Sequence, residues 1–234
     1  MPPSSRVTFE RELKNLRDDV LMLSIMVDNA IQQSTIALKQ QNVDLARQIM
    51  AEDKKINDLR YKIEDDAYTL IARQQPIARD LRGIIAAIHI AIELERIGDY
   101  AAGNATLAIE LANEPLLKPL IDIPKMADIS RDMLRTAINA YIHWDIESAQ
   151  QTIQCDTQVD VLDERVYHEL LDLMLQDRSK VARATFLLWV SHNMERIADR
   201  ITNICERVIY MVTGQVHGTD GIVQGVDGFR LADD

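Results

Sequence analysis

The chain has 234 residues, of which 47% are hydrophobic, so it can form one large domain or two smaller ones with sizeable cores. Its formal net charge of −11 argues against nucleic acids and anionic membranes as partners, because both attract clustered Lys and Arg. Aromatic residues make up only 5% of the chain and strand-forming runs are few, which indicates an all-α protein.

The cysteines and the N-terminus favour a cytoplasmic location. Cys155 and Cys205 have no metal-ligand spacing, which predicts two reduced, buried thiols in a reducing compartment. The first five residues lack the apolar core of a signal peptide. The longest uncharged apolar segments, near 83–92 and 184–194, are about half the ~20 residues that a membrane-spanning helix needs.

Three long helices are predicted in the first half of the chain. Apolar residues recur at steps of three and four, as in the seam of a helical bundle. Thr8 is expected to cap the first helix, and Asn42 or Asp44 to start the second. Pro76 suits the first turn of the third helix. The predicted bounds are about 8–40, 42–73 and 76–113.

A proline-rich stretch then precedes three more helices. Pro115, Pro119 and Pro124 mark the boundary between the two halves. Asp122 is expected to cap a fourth helix that ends near residue 144, and Asp145 to cap the fifth. The sixth helix should run over about 178–213, where Gly214 would end it.

The pattern predicts an all-α fold of two tandem antiparallel three-helix bundles, six long helices in all, related by internal duplication. The expected division is a first bundle over 1–114, a linker over 115–124, a second bundle over 125–214 and a mobile tail over 215–234.

A repeated pair of acids lies in the most apolar helices. Glu95 and Asp99 are spaced by four residues, and Glu195 and Asp199 repeat that spacing 100 residues later. Residues at i and i+4 share a helix face, where two like charges weaken a helix by about 0.2–0.5 kcal/mol. A chain that places this pair twice is expected to hold something cationic between the acids.

Further acids continue the apolar stripes, where a desolvated carboxylate must be paired or must bind a metal. Asp53 lies between apolar positions of the second helix, Asp156 and Asp160 extend the stripe of the fifth, and Glu206 extends the row of the sixth. The predicted metal ligands are Glu95, Asp99, Glu195, Asp199, Asp53, Asp156, Asp160 and Glu206. Oxygen ligands favour hard or borderline cations such as Fe, Mn, Mg or Ca.

Two alternatives stay open. The acids could instead form salt bridges, for example with Arg96 or Arg196, in a metal-free adaptor with an acidic docking face. A ferritin-like metal enzyme is the other alternative, although Gly98 and Ala198 occupy the position where that site needs His. No nucleophile elbow and no glycine-rich phosphate loop occurs, so the sequence predicts a protein that is not an enzyme.

At these residues the chain resembles the PhoU family of phosphate transport regulators. The resemblance covers about residues 9–214 and rests on a repeated signature. The signature reads Leu-Glu-Arg-Ile-Gly-Asp at 94–99 and Met-Glu-Arg-Ile-Ala-Asp at 194–199, and Asn-Ile-Cys-Glu follows at 203–206. Where the second repeat has Asn203 and Glu206, the first has Gly103 and Thr106, so its site is expected to be weaker or empty.

The resemblance implies two tandem three-helix bundles, a homodimer, and metal sites with iron or zinc at the repeated acids, Mn or Mg being less favoured. It also implies an adaptor between the ATPase of a phosphate ABC transporter and a sensor histidine kinase, which represses signalling when phosphate is plentiful. Such a protein would be cytoplasmic and peripheral to the inner membrane through its partners, with no membrane insertion of its own.

Overall fold

The computed structural model describes residues 3–215, 217–218 and 221–222, and these form six long helices. A single 3₁₀ turn, Arg178–Lys180, leads into the last of them. The helices are α1 Pro3–Gln40, α2 Val43–Gln74, α3 Ala78–Leu111, α4 Asp122–His143, α5 Ile146–Gln176 and α6 Val181–Thr213. The all-α prediction is confirmed.

Three of the predicted helix ends are confirmed by their capping geometry. The Asn42 side chain accepts a hydrogen bond from the backbone N–H of Leu45, and Asp145 accepts one from that of Ser148. Gly214 ends α6 with φ of 74°, a left-handed conformation that glycine adopts without strain. Local sequence alone sets these ends, because each cap bonds only to the adjacent helical turn.

Three other predicted ends are wrong. Thr8 lies inside α1, because the helix already begins at Pro3, a residue that suits a first helical turn. Asp122 is the first residue of α4, inside the predicted linker; its buried carboxylate lies 3.5 Å from Lys125 Nζ and from Arg165 Nη1. Pro76 precedes α3, because the extended Ile77 separates them.

The helices pack in two layers. Contacts between neighbours join α2, α3, α6 and α5 in that order, and α1 and α4 pack behind them and against each other. Helices α1–α3 thus contact one another, as do α4–α6, and the two groups meet through α3 with α6 and α1 with α4. One hydrophobic cluster contains buried residues from all six helices. The two repeats therefore share a core.

The cysteine prediction is right for one residue only. Cys205 is buried in the shared core, and burial raises the pKa of its thiol to about 12. Cys155 is only half-buried, because it lies at the edge of the apolar stripe of α5. Neither forms a disulfide.

An ion-pair network ties α1 to α4 across the two repeats. Both carboxylate oxygens of Asp28 accept hydrogen bonds from Arg131, at 2.9 and 3.2 Å, and Arg135 Nη2 adds a third at 3.0 Å. Asp28 and Arg131 are largely buried. The pair is therefore screened by solvent less than a surface ion pair would be.

Replacing Asp28 by Ala is expected to lower the free energy of unfolding by about 2 kcal/mol, because Arg131 would be left partly buried without its partner. Denaturant unfolding followed by circular dichroism measures this loss. Asp132→Ala is the matched control, since Asp132 is exposed and pairs only with Arg135 at 3.4 Å. An equal loss in both variants would contradict a contribution from the inter-repeat contact.

The C-terminal segment is described only in part. His217–Gly218 and Gly221–Ile222 pair as two-residue antiparallel strands, β1 and β2, within the predicted tail. Gln215 is also described, and the remainder of the predicted mobile tail lies outside the described residues. None of the helices within residues 3–215 combines the length and apolar character that crossing a bilayer requires.

Candidate functional site

The two acidic motifs lie at the same level of the fold, because α3 and α6 cross antiparallel. Asn203 Nδ2 donates to Glu93 Oε2 at 3.3 Å, and Asn193 Nδ2 donates to Asn104 Oδ1 at 2.9 Å. The contacts therefore move toward the N-terminus of α6 as they move toward the C-terminus of α3. This register puts the repeated acids near the middle of both helices, those of α3 beside α2 and those of α6 beside α5.

The first acidic cluster joins α2 to α3. Burial raises the pKa of Asp53, the neighbouring charge of Asp99 raises it further, and a hydrogen bond from Asn57 opposes both effects. Burial also raises the pKa of Glu95, with Asp99 as the next cause, and burial raises the pKa of Asp99. These three acids therefore share one region and disfavour one another's charge.

A glycine lets α2 approach α3 at this cluster. A Cβ atom on Gly98 would lie 3.1 Å from Ile56 Cδ1 and 3.7 Å from Asp53 Oδ1. The same Asp53 Oδ1 is buried without a hydrogen-bond partner, whereas Oδ2 accepts from Asn57 Nδ2 at 3.1 Å. A buried carboxylate oxygen with no donor is costly, and a cation is one group that would satisfy it.

The second acidic cluster joins α5 to α6. Burial, followed by the charges of Asp160, Asp199 and Glu195, raises the pKa of Asp156 to about 6. The pKa of Glu195 is raised by burial and then by Asp199, and that of Asp160 by burial and then by Asp199. Asp156 Oδ1 is buried without a hydrogen-bond partner, like Asp53 Oδ1 in the first repeat.

An arginine partly neutralises the second cluster. Arg196 Nη1 donates to Asp199 Oδ2 at 2.9 Å, and Arg196 Nε lies 3.3 Å from Glu195 Oε2. Its counterpart Arg96 turns to Glu93 instead, at 3.1 Å. The salt-bridge alternative is therefore present at Glu195 and Asp199, although Glu195 Oε2, like Asp156 Oδ1, is buried without a hydrogen-bond partner.

The acids have the donor atoms that a metal ion needs, but their side chains do not converge on one point. Their oxygen donors suit a hard or borderline cation, and Asp53 and Asp156 each have an unpaired oxygen. Within the described part of the chain, however, no group of three or more His, Cys, Asp or Glu side chains is placed to hold an ion. The metal assignment stays a prediction, since ion binding would require side-chain movement.

Two of the predicted ligands lie toward the edges of the second cluster. Asp160 is exposed, and it acts on the pKa of Asp156. Glu206 lies nearly two turns beyond Asp199 along α6, and its charge acts on the pKa of Cys205. Glu206 is not among the acids that raise the pKa of Asp156.

The sequence pattern missed the contribution of α1. A groove with a volume of ≈ 300 Å³ lies between α1, α2 and α3, beside the first cluster. Asn29 and Gln33 of α1 line it, together with Asp53 and Gly98. The sequence does show that Asn29 and Gln33 lie four residues apart, beside the apolar seam of α1. That spacing indicates a shared helix face, but it does not indicate which helix the face meets.

Comparison with known proteins identifies the family. The model of the PhoU domain matches the chain twice, over residues 21–108 and 123–208. The chain belongs to the PhoU family. The two matches correspond to the two groups of three helices, and each includes one copy of the acidic motif.

Similar PhoU proteins match almost end to end. A phosphate-specific transport system accessory protein PhoU homolog from Clostridium acetobutylicum is 35% identical over 212 residues, which are 90% of this chain and 97% of that protein. The crystal structure of PhoU from Pseudomonas aeruginosa superposes with a TM-score of 0.84 at 31% identity, covering 88% of this chain and 99% of that one. The phosphate transport system regulatory protein PhoU from Streptococcus pneumoniae gives 0.83 at 28% identity, with 90% and 99% covered.

Proposed function

We propose that this protein is a non-enzymatic regulator of phosphate uptake and of phosphate-starvation signalling. Membership in the PhoU family, with two PhoU domains, carries the proposal. The similar proteins are named accessory or regulatory proteins of phosphate transport. In this role the protein is an adaptor between the ATPase of a phosphate ABC transporter and a sensor histidine kinase, and it represses signalling when phosphate is plentiful.

Metal binding is the second part of the proposal. Asp53, Glu95 and Asp99 would hold one site, and Asp156, Glu195 and Asp199 the other, with iron or zinc favoured. Bound metal would supply positive charge between acids whose raised pKa values reflect burial and mutual repulsion. The unpaired oxygens of Asp53 and Asp156 support this part.

A metal-free adaptor is the alternative that one observation favours. Arg196 already pairs with both acids of the second motif. In that case the two acidic clusters would form a docking face for a basic protein surface, because opposite charges attract across an interface. Either form would be located in the cytoplasm, where the partners would hold it next to the inner membrane. In either form the protein would be a homodimer.

Deleting the gene from its host tests the regulatory role. Starvation-inducible genes are expected to be transcribed in high phosphate after deletion, and the parent gene should restore repression. Asp128→Asn, a change at an exposed acid of α4, should restore repression as well. Unchanged transcription after deletion would contradict the regulatory role.

A variant with both Asp156→Asn and Asp199→Asn separates the two forms of the proposal. If metal binding is needed, this variant should fail to restore repression although it is folded and present at the parent level. If it restores repression fully, metal at the second cluster is not needed for repression, which favours the metal-free adaptor.

A further inference from the structure

Between the two acidic clusters, the contact of α3 with α6 is lined by cations. Glu93 Oε1 accepts from Arg96 Nη1 at 3.1 Å, and its Oε2 accepts from Asn203 Nδ2 at 3.3 Å. Arg200 Nη1 lies 3.5 Å from the same Oε2. Arg207 lies one turn beyond Asn203 on the same stripe of α6. We call Arg96, Arg200, Arg207, Glu93 and Asn203 the arginine seam.

The arginine seam has more donors than its one carboxylate can satisfy. Both oxygens of Glu93 are in use, yet Arg200 Nε is buried with no hydrogen-bond partner. Within residues 6–215, no ion pair joins Arg207 to an acid. Its charge reaches His89, whose pKa is lowered first by burial and then by Arg207. A buried guanidinium N–H without an acceptor is costly, so an additional acceptor beside Arg200 Nε would stabilise the seam.

The internal repeat shows that the fold does not require these cations. A shift of 100 residues maps α6 onto α3, and the counterparts of Arg200, Asn203 and Arg207 are Tyr100, Gly103 and Leu107. None of the three counterparts is charged, although they face the same helix contact at its other end. The cations, like the acid Glu93 whose counterpart is Asn193, therefore belong to one half of the contact, and the repeated helix packing does not require them.

Phosphate-type anions match the unused donors better than a carboxylate does. Guanidinium groups bind phosphate oxygens in bidentate fashion, and Arg200, Asn203 and Arg207 lie at i, i+3 and i+7 on one stripe. A carboxylate is already present at Glu93 and leaves Arg200 Nε unpaired. A phosphoryl group carries a charge of about −1.5 to −2 and three or more acceptor oxygens.

We propose that the arginine seam is an oxyanion site that binds a phosphoryl group through Arg200, Asn203 and Arg207, with Glu93 as a built-in competitor. The anion is either inorganic phosphate or a phosphoryl group carried by another molecule. The site goes beyond the proposed function, and it needs no metal ion.

Isothermal titration of the full-length protein with inorganic phosphate and, separately, with phenyl phosphate tests the site. All titrations contain a chelator, so that metal held by the acidic clusters cannot bind the anion. Arg200→Gln and Arg207→Gln are each expected to weaken binding about tenfold or more, which corresponds to the loss of one hydrogen bond to a charged group. Glu93→Gln should tighten binding several-fold, because the competing charge is removed while an acceptor for Asn203 remains.

Arg135→Gln is the matched control, because Arg135 lies on α4, away from the arginine seam, and the charge change is the same. It should bind as the parent does. Binding of phenyl phosphate alone would assign the anion to a phosphorylated partner, and binding of inorganic phosphate would assign it to the free ion. The proposal is overturned if neither probe binds at millimolar concentration, or if Arg200→Gln and Glu93→Gln leave the affinity at the parent value. The Glu93→Gln result guards against a folding artefact, since an unfolded variant cannot gain affinity.

Discussion

Adding Fe²⁺ or Zn²⁺ to chelator-treated protein is expected to raise its melting temperature by on the order of 10 °C. A ligand that binds only the folded state at 1,000 times its Kd stabilises that state by about 4 kcal/mol, and each kcal/mol shifts the melting temperature of a chain of this size by about 2–4 °C. The variant with both Asp156→Asn and Asp199→Asn should lose the shift that arises from the second cluster. Elemental analysis of the same samples should show correspondingly less metal.

The control for this measurement is Asp128→Asn, which changes an exposed acid on α4 and should keep both the shift and the metal content. Equal metal content in the double variant and the parent would contradict the assignment of Asp156 and Asp199 as ligands. A melting temperature that neither metal nor chelator changes would favour the metal-free adaptor.

The stability of the metal-free protein should also change with pH, in a direction that the pKa of Asp156 sets. The pKa of Asp156 is raised to about 6 in the folded state, above the ordinary value of 3.8, so protonation favours folding. Its stabilising effect is fully present below pH 3.8 and is lost as the pH rises through 6. In chelator, Asp156→Asn is therefore expected to stabilise the protein at pH 7 by about 1 kcal/mol, after allowance for solvent screening of this half-buried group, and to change little at pH 4.

Ile97→Ala and Ile197→Ala are each expected to lower the free energy of unfolding by about 2–5 kcal/mol. Both side chains are fully buried at matching positions of the two repeats, and removing them leaves cavities. Because buried residues of all six helices form one cluster, each variant should unfold in a single transition shifted to lower denaturant. Circular dichroism and tryptophan fluorescence, followed together, measure that transition.

Leu175→Ala is the control, since Leu175 is 77% exposed and its truncation should change the free energy of unfolding by less than about 0.5 kcal/mol. Two separate transitions, of which Ile97→Ala shifts only the first, would instead support two independently folding domains divided near residues 115–124.

The helices were predictable because their signals are local. Caps such as Asn42 and Asp145, and the left-handed Gly214, bond within one turn of their own position. The same holds for the repeated acids, whose spacing puts Glu95 and Asp99 on one face wherever the helix lies. Thr8 and Asp122 were assigned wrongly, because more than one nearby residue could start those helices.

The pairing of charges was not predictable in the same way. Arg96 and Arg196 occupy matching positions of the repeated motif, yet Arg96 turns to Glu93 and Arg196 to Asp199. Asn203 of α6 adds a bond to the same Glu93, whereas its counterpart Gly103 has no side chain to offer Asn193. Which acid each arginine meets depends on residues of another helix.

The order of residues thus sufficed for the six helices, their buried faces, the duplication and the identity of the acids, since each of these follows from spacing along a single helix. The antiparallel register of α3 against α6, the unpaired oxygens of Asp53 and Asp156 and the arginine seam emerge only when helices distant in sequence pack together. An apolar stripe specifies that a face is buried, but the partner that covers it, and the charges which that partner brings, are set by packing of the whole core.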